Sequence, residues 1–184
     1  MSGRRALFLD RDGVINVDHG YVCTPERTEF IDGIFRLCRA AKQADRLLVV
    51  ITNQAGVGRG YYTEQQFLDY MGWMRAVFAR HGAPLDAVYY CPHHPTEGIG
   101  DYRRECDCRK PAPGMLLHAQ RDLNLDLAGS TLVGDKDSDV AAGHAAGVGC
   151  CIRIKPLPEP GVSSRLQITA ADWQRVLTGL ADGR

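Results

Sequence analysis

Two carboxylates one residue apart, Asp10 and Asp12, close a short apolar run in the segment Phe8-Leu9-Asp10-Arg11-Asp12-Gly13. Paired acids at such a place suit a two-step group transfer: one carboxylate attacks, the other handles a proton, and both can help to hold a cation. The same residues also fit a plain turn at Asp12-Gly13 with Asp10 as a helix cap. Further polar groups stand just beyond other apolar runs: Thr52-Asn53-Gln54, Cys91-Pro92-His93 and Gly134-Asp135-Lys136-Asp137. Lys110 lies in the long segment that follows Cys91. Taken singly, each of these fits a cap, a turn or a solvated charge equally well.

Taken together they supply what phosphoryl transfer needs, because catalysis there is chiefly positioning and charge stabilisation. Asp10 is the candidate nucleophile, forming an aspartyl-phosphate. Asp12 is the candidate general acid and base. The Thr52 hydroxyl and the Lys110 ammonium are candidates to stabilise the phosphoryl oxygens. Asp10, Asp12 and Asp135 are candidate ligands of a Mg²⁺, an ion that takes few protein carboxylates beside waters and a substrate phosphate.

A second constellation carries metal chemistry. Cys91-x-His93 is followed, after a gap of twelve residues, by Cys106-x-Cys108. Three thiolates and one imidazole make a closed tetrahedral zinc site of the structural kind. The one-residue spacing within each pair is tighter than in common zinc fingers, and His94 is an equally placed alternative to His93. Free cysteines with both histidines at the surface are the plain alternative. A loop rich in Gly, Pro and charge cannot build its own core, however, and a metal would order it. Clamping Cys108 would also fix the base of Arg109 and Lys110, and Arg109 could then pair in fork fashion with a phosphate or hydroxyls.

The elements that must position these groups are legible from periodicity. Ala6–Leu9, Leu47–Ile51, Ala87–Tyr90, Thr131–Val133 and Gly149–Ile154 read as buried strands. Ile34, Leu37, Cys38 and Ala41 repeat at helical spacing behind Asp32 as N-cap. Thr63 with Gln66 forms a capping box ahead of the stripe Phe67, Tyr70, Met71, Met74, Val77 and Phe78, which Gly82 ends. Pro113 opens a further helix through Leu116, Leu117 and Leu123, and small residues from Val140 to Ala146 form another before Gly147. The tail after Lys155, with Pro156, Pro158, Pro160 and Gly161, predicts a loop leading to a short helix around Trp173 to Leu180. Such alternation predicts an α/β fold, a Rossmann-like parallel sheet with helices on both faces. Two long connections, Arg11 to about Phe30 and Cys91 to about Pro113, leave carboxyl ends of strands. There they face the crevice where open α/β sheets bind ligands.

Bulk properties bound the class. The chain has 184 residues, 45% of them hydrophobic and 24% charged, which predicts one domain over 1–184 with its own core and a zinc-binding loop at 91–110. With 22 basic and 22 acidic side chains the formal charge is zero, so binding to nucleic acid or a membrane surface is not expected. No apolar run reaches signal-peptide or transmembrane length, and seven cysteines in such a chain indicate thiols or metal rather than disulfides. A cytoplasmic enzyme, and a monomer, is the expectation. Cys38 falls on a core stripe and Cys150-Cys151 in a strand, so these read as buried thiols; Cys23 has no assigned role.

The order and spacing of Asp10-Arg11-Asp12-Gly13, Thr52-Asn53-Gln54, Lys110 and Gly134-Asp135-Lys136-Asp137 resemble the four motifs of the haloacid dehalogenase (HAD) superfamily of phosphotransferases, over roughly residues 6–155. Within it, Asp10-Arg11-Asp12-Gly13-Val14-Ile15-Asn16, Asp18-His19-Gly20-Tyr21-Val22, Thr52-Asn53-Gln54-Ala55-Gly56 and Cys106-Asp107-Cys108-Arg109-Lys110-Pro111 resemble the D-glycero-D-manno-heptose 1,7-bisphosphate 7-phosphatases over nearly the whole chain. That resemblance implies a HAD-like fold without a large cap domain, catalytic Mg²⁺ and structural Zn²⁺. It also implies removal of the C7 phosphate of a small sugar bisphosphate during heptose-nucleotide synthesis for lipopolysaccharide core or other surface glycans. It implies substrate contacts by Asp18, His19, Gly20, Tyr21, Thr52, Asn53, Gln54, Ala55, Arg109, Lys110 and Lys136, with Ala55, often Ser in the family, contacting through its backbone. Histidinol-phosphate phosphatases share the catalytic and zinc motifs and are the alternative; their frequent fusion to a dehydratase is not expected in a chain of this length. A non-catalytic zinc module for nucleic acid or protein is the remote one.

Overall fold

The computed structural model describes residues 3–154, 157–159, 162–167, 174–176 and 178. Five strands, β1 (Ala6–Leu9), β2 (Leu47–Asn53), β3 (Ala87–Cys91), β4 (Thr131–Gly134) and β5 (Cys150–Arg153), form one parallel sheet in the order β3-β2-β1-β4-β5. Strand side chains alternate faces, and here both faces are covered. Leu7, Leu9, Leu48, Val50 and Val133 pack into one core with helices α1 (Ile34–Gln43) and α3 (Glu64–Arg80). Ala6, Phe8, Leu47, Val49, Ile51 and Leu132 pack into a second with α4 (Gly114–Leu123) and α5 (Asp137–Ala146). Burial on both faces is why the strands read as continuous apolar runs rather than alternating ones.

From β1 the chain steps outward to β2 and β3 on one side and then crosses back to β4 and β5 on the other, so the strand order reverses beside β1. Neighbouring strands diverge into helices on opposite faces there and open a crevice at their carboxyl ends. Asp10 follows β1 and Asp135 follows β4, which places both acids at that crevice.

Local details follow the sequence with three differences. The Thr63–Gln66 capping box is present, with both reciprocal hydrogen bonds formed. The N-cap of α1, though, is Gly33 at φ 83°, not Asp32. A turn from Ile31 to Ile34 sets the helix start, and Leu37 N–H bonds back to the Gly33 carbonyl. Helix α5 begins at Asp137, three residues before the expected start, because its first turn carries Asp137 and Asp139 on the positive end of the helix dipole. The tail is not the expected loop: β6 (Leu157–Glu159) and β7 (Val162–Gln167) pair antiparallel. Pro158 is tolerated in this two-stranded ribbon beside a register irregularity at Pro158/Glu159. The expected Trp173–Leu180 helix lies outside the described residues except for 174–176 and 178, which are helical. Cys23 and Cys38 are buried as free thiols, while Cys150 and Cys151 are half-buried.

Phe78 stacks edge-on against Phe30 and Phe35 and is fully buried, far along α3 from the crevice. Phe78→Ala is expected to destabilise the protein by about 3–5 kcal/mol, read as a lower urea midpoint at unchanged slope. Turnover per folded molecule should be kept.

Candidate active site

Asp10 and Lys110 form the floor of the crevice. Lys110 reaches Asp10 Oδ1 at 2.8 Å and Asp139 Oδ1 at 2.6 Å, and its Nζ donates to the Ile51 carbonyl. All three side chains are essentially shielded from solvent. Lys110 is far from β1 in sequence and is brought there by Asn53 at the end of β2. The Asn53 side chain accepts from the Lys110 amide and donates to the Lys110 carbonyl, both at 3.0 Å. Burial by itself would lower the Lys110 pKa, but the flanking carboxylates of Asp10 and Asp139 outweigh it and hold it above its ordinary value. Asp10 is pushed up, first by burial and then by its acidic neighbours Asp139 and Asp12, against the pull of Lys110.

The carboxylates of Asp10, Asp135 and Asp139 lie within 4.8 Å of one another. Asp139 is already committed to Lys110 and, through Oδ2, to the Lys136 amide. Asp135 is different: its Oδ1 is buried with no hydrogen-bond partner. Burial and the Asp10 charge push Asp135 up to about 7. An orphaned carboxylate oxygen beside a second acid is the donor set that a hard divalent cation requires, so Asp10 and Asp135 fit Mg²⁺. Gly13, at φ 88°, makes the fit possible, because a Cβ there would lie 2.4 Å from Asp135 Oδ2.

Asp12, expected beside Asp10 and Asp135 as a Mg²⁺ ligand, has its carboxylate outside this acidic cluster. Arg11 donates to it from Nε and Nη2, at 3.1 and 2.6 Å, and Asn16 Nδ2 at 3.0 Å. Arg11 is itself fully buried, its guanidinium over the rings of Tyr70 and Phe67. Asp12 still lines the same cavity as Asp10, where its held orientation suits proton transfer.

That cavity, about 550 Å³, is where the remaining expected residues gather. Asp18, Gly20 and Tyr21 contribute from the first long loop, Thr52 to Ala55 from the end of β2, and Arg109, Lys110 and Lys136 from the far wall. Thr52 is buried and its hydroxyl accepts from Gln54 Nε2 at 2.8 Å. Gln54 in turn accepts from Tyr62. Arg109 donates to the His93 carbonyl at 3.0 Å, and Lys136 pairs with Asp18 at 3.3 Å. His19 does not line the cavity; its ring turns outward to Glu29 at 3.0 Å, since that carboxylate lies within reach on the exposed side of the loop. Five lining residues were not anticipated as contacts: Gly56, Arg59, Tyr62, Ser138 and Asp139. Of the last four, only Asp139 had a sequence signal, its i+4 spacing from Asp135 at the start of a helix.

The cysteine loop closes on itself. The ligand atoms of Cys91, His93, Cys106 and Cys108 all lie within 4.8 Å of one another. The sulfur–sulfur distances are 3.2, 3.3 and 3.5 Å, and Cys108 Sγ is 3.4 Å from His93 Nδ1. A tetrahedral zinc with Zn–S bonds of about 2.3 Å needs sulfurs about 3.8 Å apart, so the cluster fits a zinc ion with small adjustment. His93 is the imidazole in this cluster. His94 turns away, its Nδ1 accepting from the Glu97 amide at 3.1 Å. Its pKa is lowered by burial first, then by the Arg109 and Arg59 guanidiniums.

Comparison with known proteins agrees with this geometry. A family model described as HAD-hydrolase-like matches residues 107–152. A D-glycero-alpha-D-manno-heptose-1,7-bisphosphate 7-phosphatase from Burkholderia mallei is 59% identical over 150 residues, covering 82% of this chain and 79% of that protein. A D-glycero-beta-D-manno-heptose-1,7-bisphosphate 7-phosphatase from Escherichia coli (strain K12) is 47% identical over 180 residues, covering 96% and 90%. Among solved structures, a D,D-heptose 1,7-bisphosphate phosphatase from B. bronchiseptica, complexed with magnesium and phosphate, superimposes with a TM-score of 0.70. It is 35% identical and covers 79% of this chain and 78% of that one. A HAD-like phosphatase from Mesorhizobium loti reaches a TM-score of 0.85 at 33% identity, covering 98% and 87%. Identity of 47–59% over 82–96% of the chain shows that it belongs to the heptose-1,7-bisphosphate 7-phosphatases of the HAD-like hydrolases.

Proposed function

We propose that this protein is a Mg²⁺-dependent phosphatase that removes the C7 phosphate of a D-glycero-D-manno-heptose 1,7-bisphosphate through an aspartyl-phosphate on Asp10. One observation carries the reading: a buried carboxylate, Asp10, held by Lys110 at 2.8 Å beside the unpartnered Asp135 oxygen, at the floor of a polar cavity. The relatives' names point to the same substrate. Free thiols at all seven cysteines suit a reducing cytoplasm.

In this reading Asp10 attacks phosphorus as the bond from phosphorus to the sugar oxygen breaks. Asp12, oriented by Arg11 and Asn16, gives that oxygen its proton. Asp12 then takes a proton from water, the resulting hydroxide attacks the phosphorus, and the bond to Asp10 breaks to release phosphate. Lys110 neutralises Asp10 before attack and the phosphoryl oxygens after it, while the Thr52 hydroxyl donates to those oxygens. Asp10 and Asp135 would hold Mg²⁺, whose charge screens the approach of an anionic nucleophile to an anionic phosphate. Cys91, His93, Cys106 and Cys108 would hold Zn²⁺, which orders the loop carrying Arg109 and Lys110.

Asp10→Asn is expected to lower turnover by at least about 10³-fold at an unchanged urea midpoint; wild-type activity would remove Asp10 as nucleophile. Side-by-side kcat/KM on both heptose bisphosphate anomers and on histidinol phosphate should favour a heptose substrate, and preference for histidinol phosphate would overturn the assignment. Because Asp135 titrates near 7 in the metal-free protein, Mg²⁺ must displace a proton below that pH. Its apparent affinity should fall by up to about tenfold per pH unit on acidification, measured by calorimetry between pH 8 and 5.5. Freshly purified protein should contain one zinc per chain. Cys108→Ser should lose that zinc and at least about tenfold in kcat/KM; full activity without zinc would sever the loop from the active site.

A further inference from the structure

Four cations, Arg59, Arg109, Lys110 and Lys136, line the catalytic cavity beside four carboxylates, Asp10, Asp12, Asp18 and Asp139. Lys110 is paired with Asp10 and Asp139 and Lys136 with Asp18, whereas Arg59 pairs with Glu97 outside the lining and Arg109 donates to the His93 carbonyl. Arg109 and Lys136 belong to the segments whose resemblance implied substrate contact. Arg59 does not, and neither catalysis nor the cysteine cluster uses it.

Arg59 is the C-cap residue of the short helix α2 (Ala55–Gly58), directly after the Thr52–Ala55 segment. Its guanidinium lies over the Tyr21 ring at 5.6 Å and donates to the Tyr21 hydroxyl at 2.5 Å. On its other side it pairs with Glu97 of the cysteine loop. Three loops therefore converge on one cation. Both partners are open to water: the Glu97 side chain is 54% exposed and Tyr21 40%. A surface ion pair of this kind contributes little and exchanges readily for a dianion. Arg59 and Arg109 line the same cavity. Two planar forks beside one cavity mouth suit a tetrahedral phosphate, each able to give paired hydrogen bonds.

We propose that Arg59 is a specificity-determining residue that leaves Glu97 and, with Arg109, clamps the second, non-reacting phosphate of a bisphosphate substrate. This rests on the proposed C7-phosphatase function and extends it to what the enzyme grips at the far end. A cationic rim attracts a second phosphate and repels an amine, so the same residue would discriminate against phosphate esters that carry an ammonium group.

The readout is a ratio: kcat/KM for heptose 1,7-bisphosphate divided by kcat/KM for heptose 7-phosphate, which lacks the second phosphate. Arg59→Ala should lower that ratio by about 30-fold, with the loss in KM. Arg59→Lys, which keeps the charge but not the fork, should fall between the two. Glu97→Gln should leave the ratio unchanged or raise it, because it removes only the competitor. If Arg59 is merely a latch between loops, Arg59→Ala lowers both substrates alike, Glu97→Gln reproduces it, and the proposal fails. An unchanged ratio in Arg59→Ala overturns it as well. Failure of the underlying function would look different: the wild-type protein would release no phosphate from C7 of the bisphosphate.

Discussion

A lysine ammonium buried between two carboxylates is the constraint on which this active site depends. Burial penalises the Lys110 ammonium, and the Asp10 and Asp139 carboxylates beside it outweigh that penalty. The triad spans three separate parts of the chain: the end of β1, the long loop after β3, and the first turn of α5. Correct docking of these elements is therefore enforced electrostatically as well as by packing. Removing Lys110 would leave two carboxylates uncompensated in the interior, whereas removing either acid leaves the ammonium paired with the other. The site is thus preorganised before substrate arrives, and an incoming phosphoryl group meets a cation that needs no reorganisation.

The two metal clusters complement this triad in different ways. The acidic cluster is short of positive charge: Asp135 has an orphaned oxygen, and burial with the Asp10 charge raises its pKa. A divalent cation supplies what Lys110 alone does not. The cysteine cluster acts through the backbone. Cys108 lies two residues before Lys110, and Asn53 grips the Lys110 backbone from the opposite side. The loop is held at its base by the sheet and along its length by the sulfur cluster, which is how a segment with little apolar content can present two cations at fixed positions.

The catalytic turn shows a third use of burial. Arg11 is charged, wholly enclosed and stacked on aromatic rings of α3, with Asp12 as its carboxylate partner. The helix that carries Phe67 and Tyr70 thereby supports the orientation of Asp12 across the core. The stripe that reads as core packing in α3 is also the seat of the residue that aims the acid.

The sequence by itself determined the parallel sheet, the strand ends that bear chemistry and the three cysteines of the sulfur cluster. Strand periodicity, capping residues and ligand types are local properties, and local properties survive in one dimension. It also placed Asp10 and Asp135 correctly, because parallel strands must end on one side. Tertiary structure decided the partners. That Asp12 faces Arg11 and Asn16 rather than the cation cluster, that His93 rather than His94 joins the cysteines, and that His19 turns to Glu29 all depend on side-chain direction, which spacing does not encode. Asp139 and Arg59 line the cavity only because folding brings α5 beside Lys110 and carries Arg59 to the rim facing Glu97. A carboxylate or a guanidinium acquires its role from the charges around it, and those neighbours lie tens of residues away along the chain.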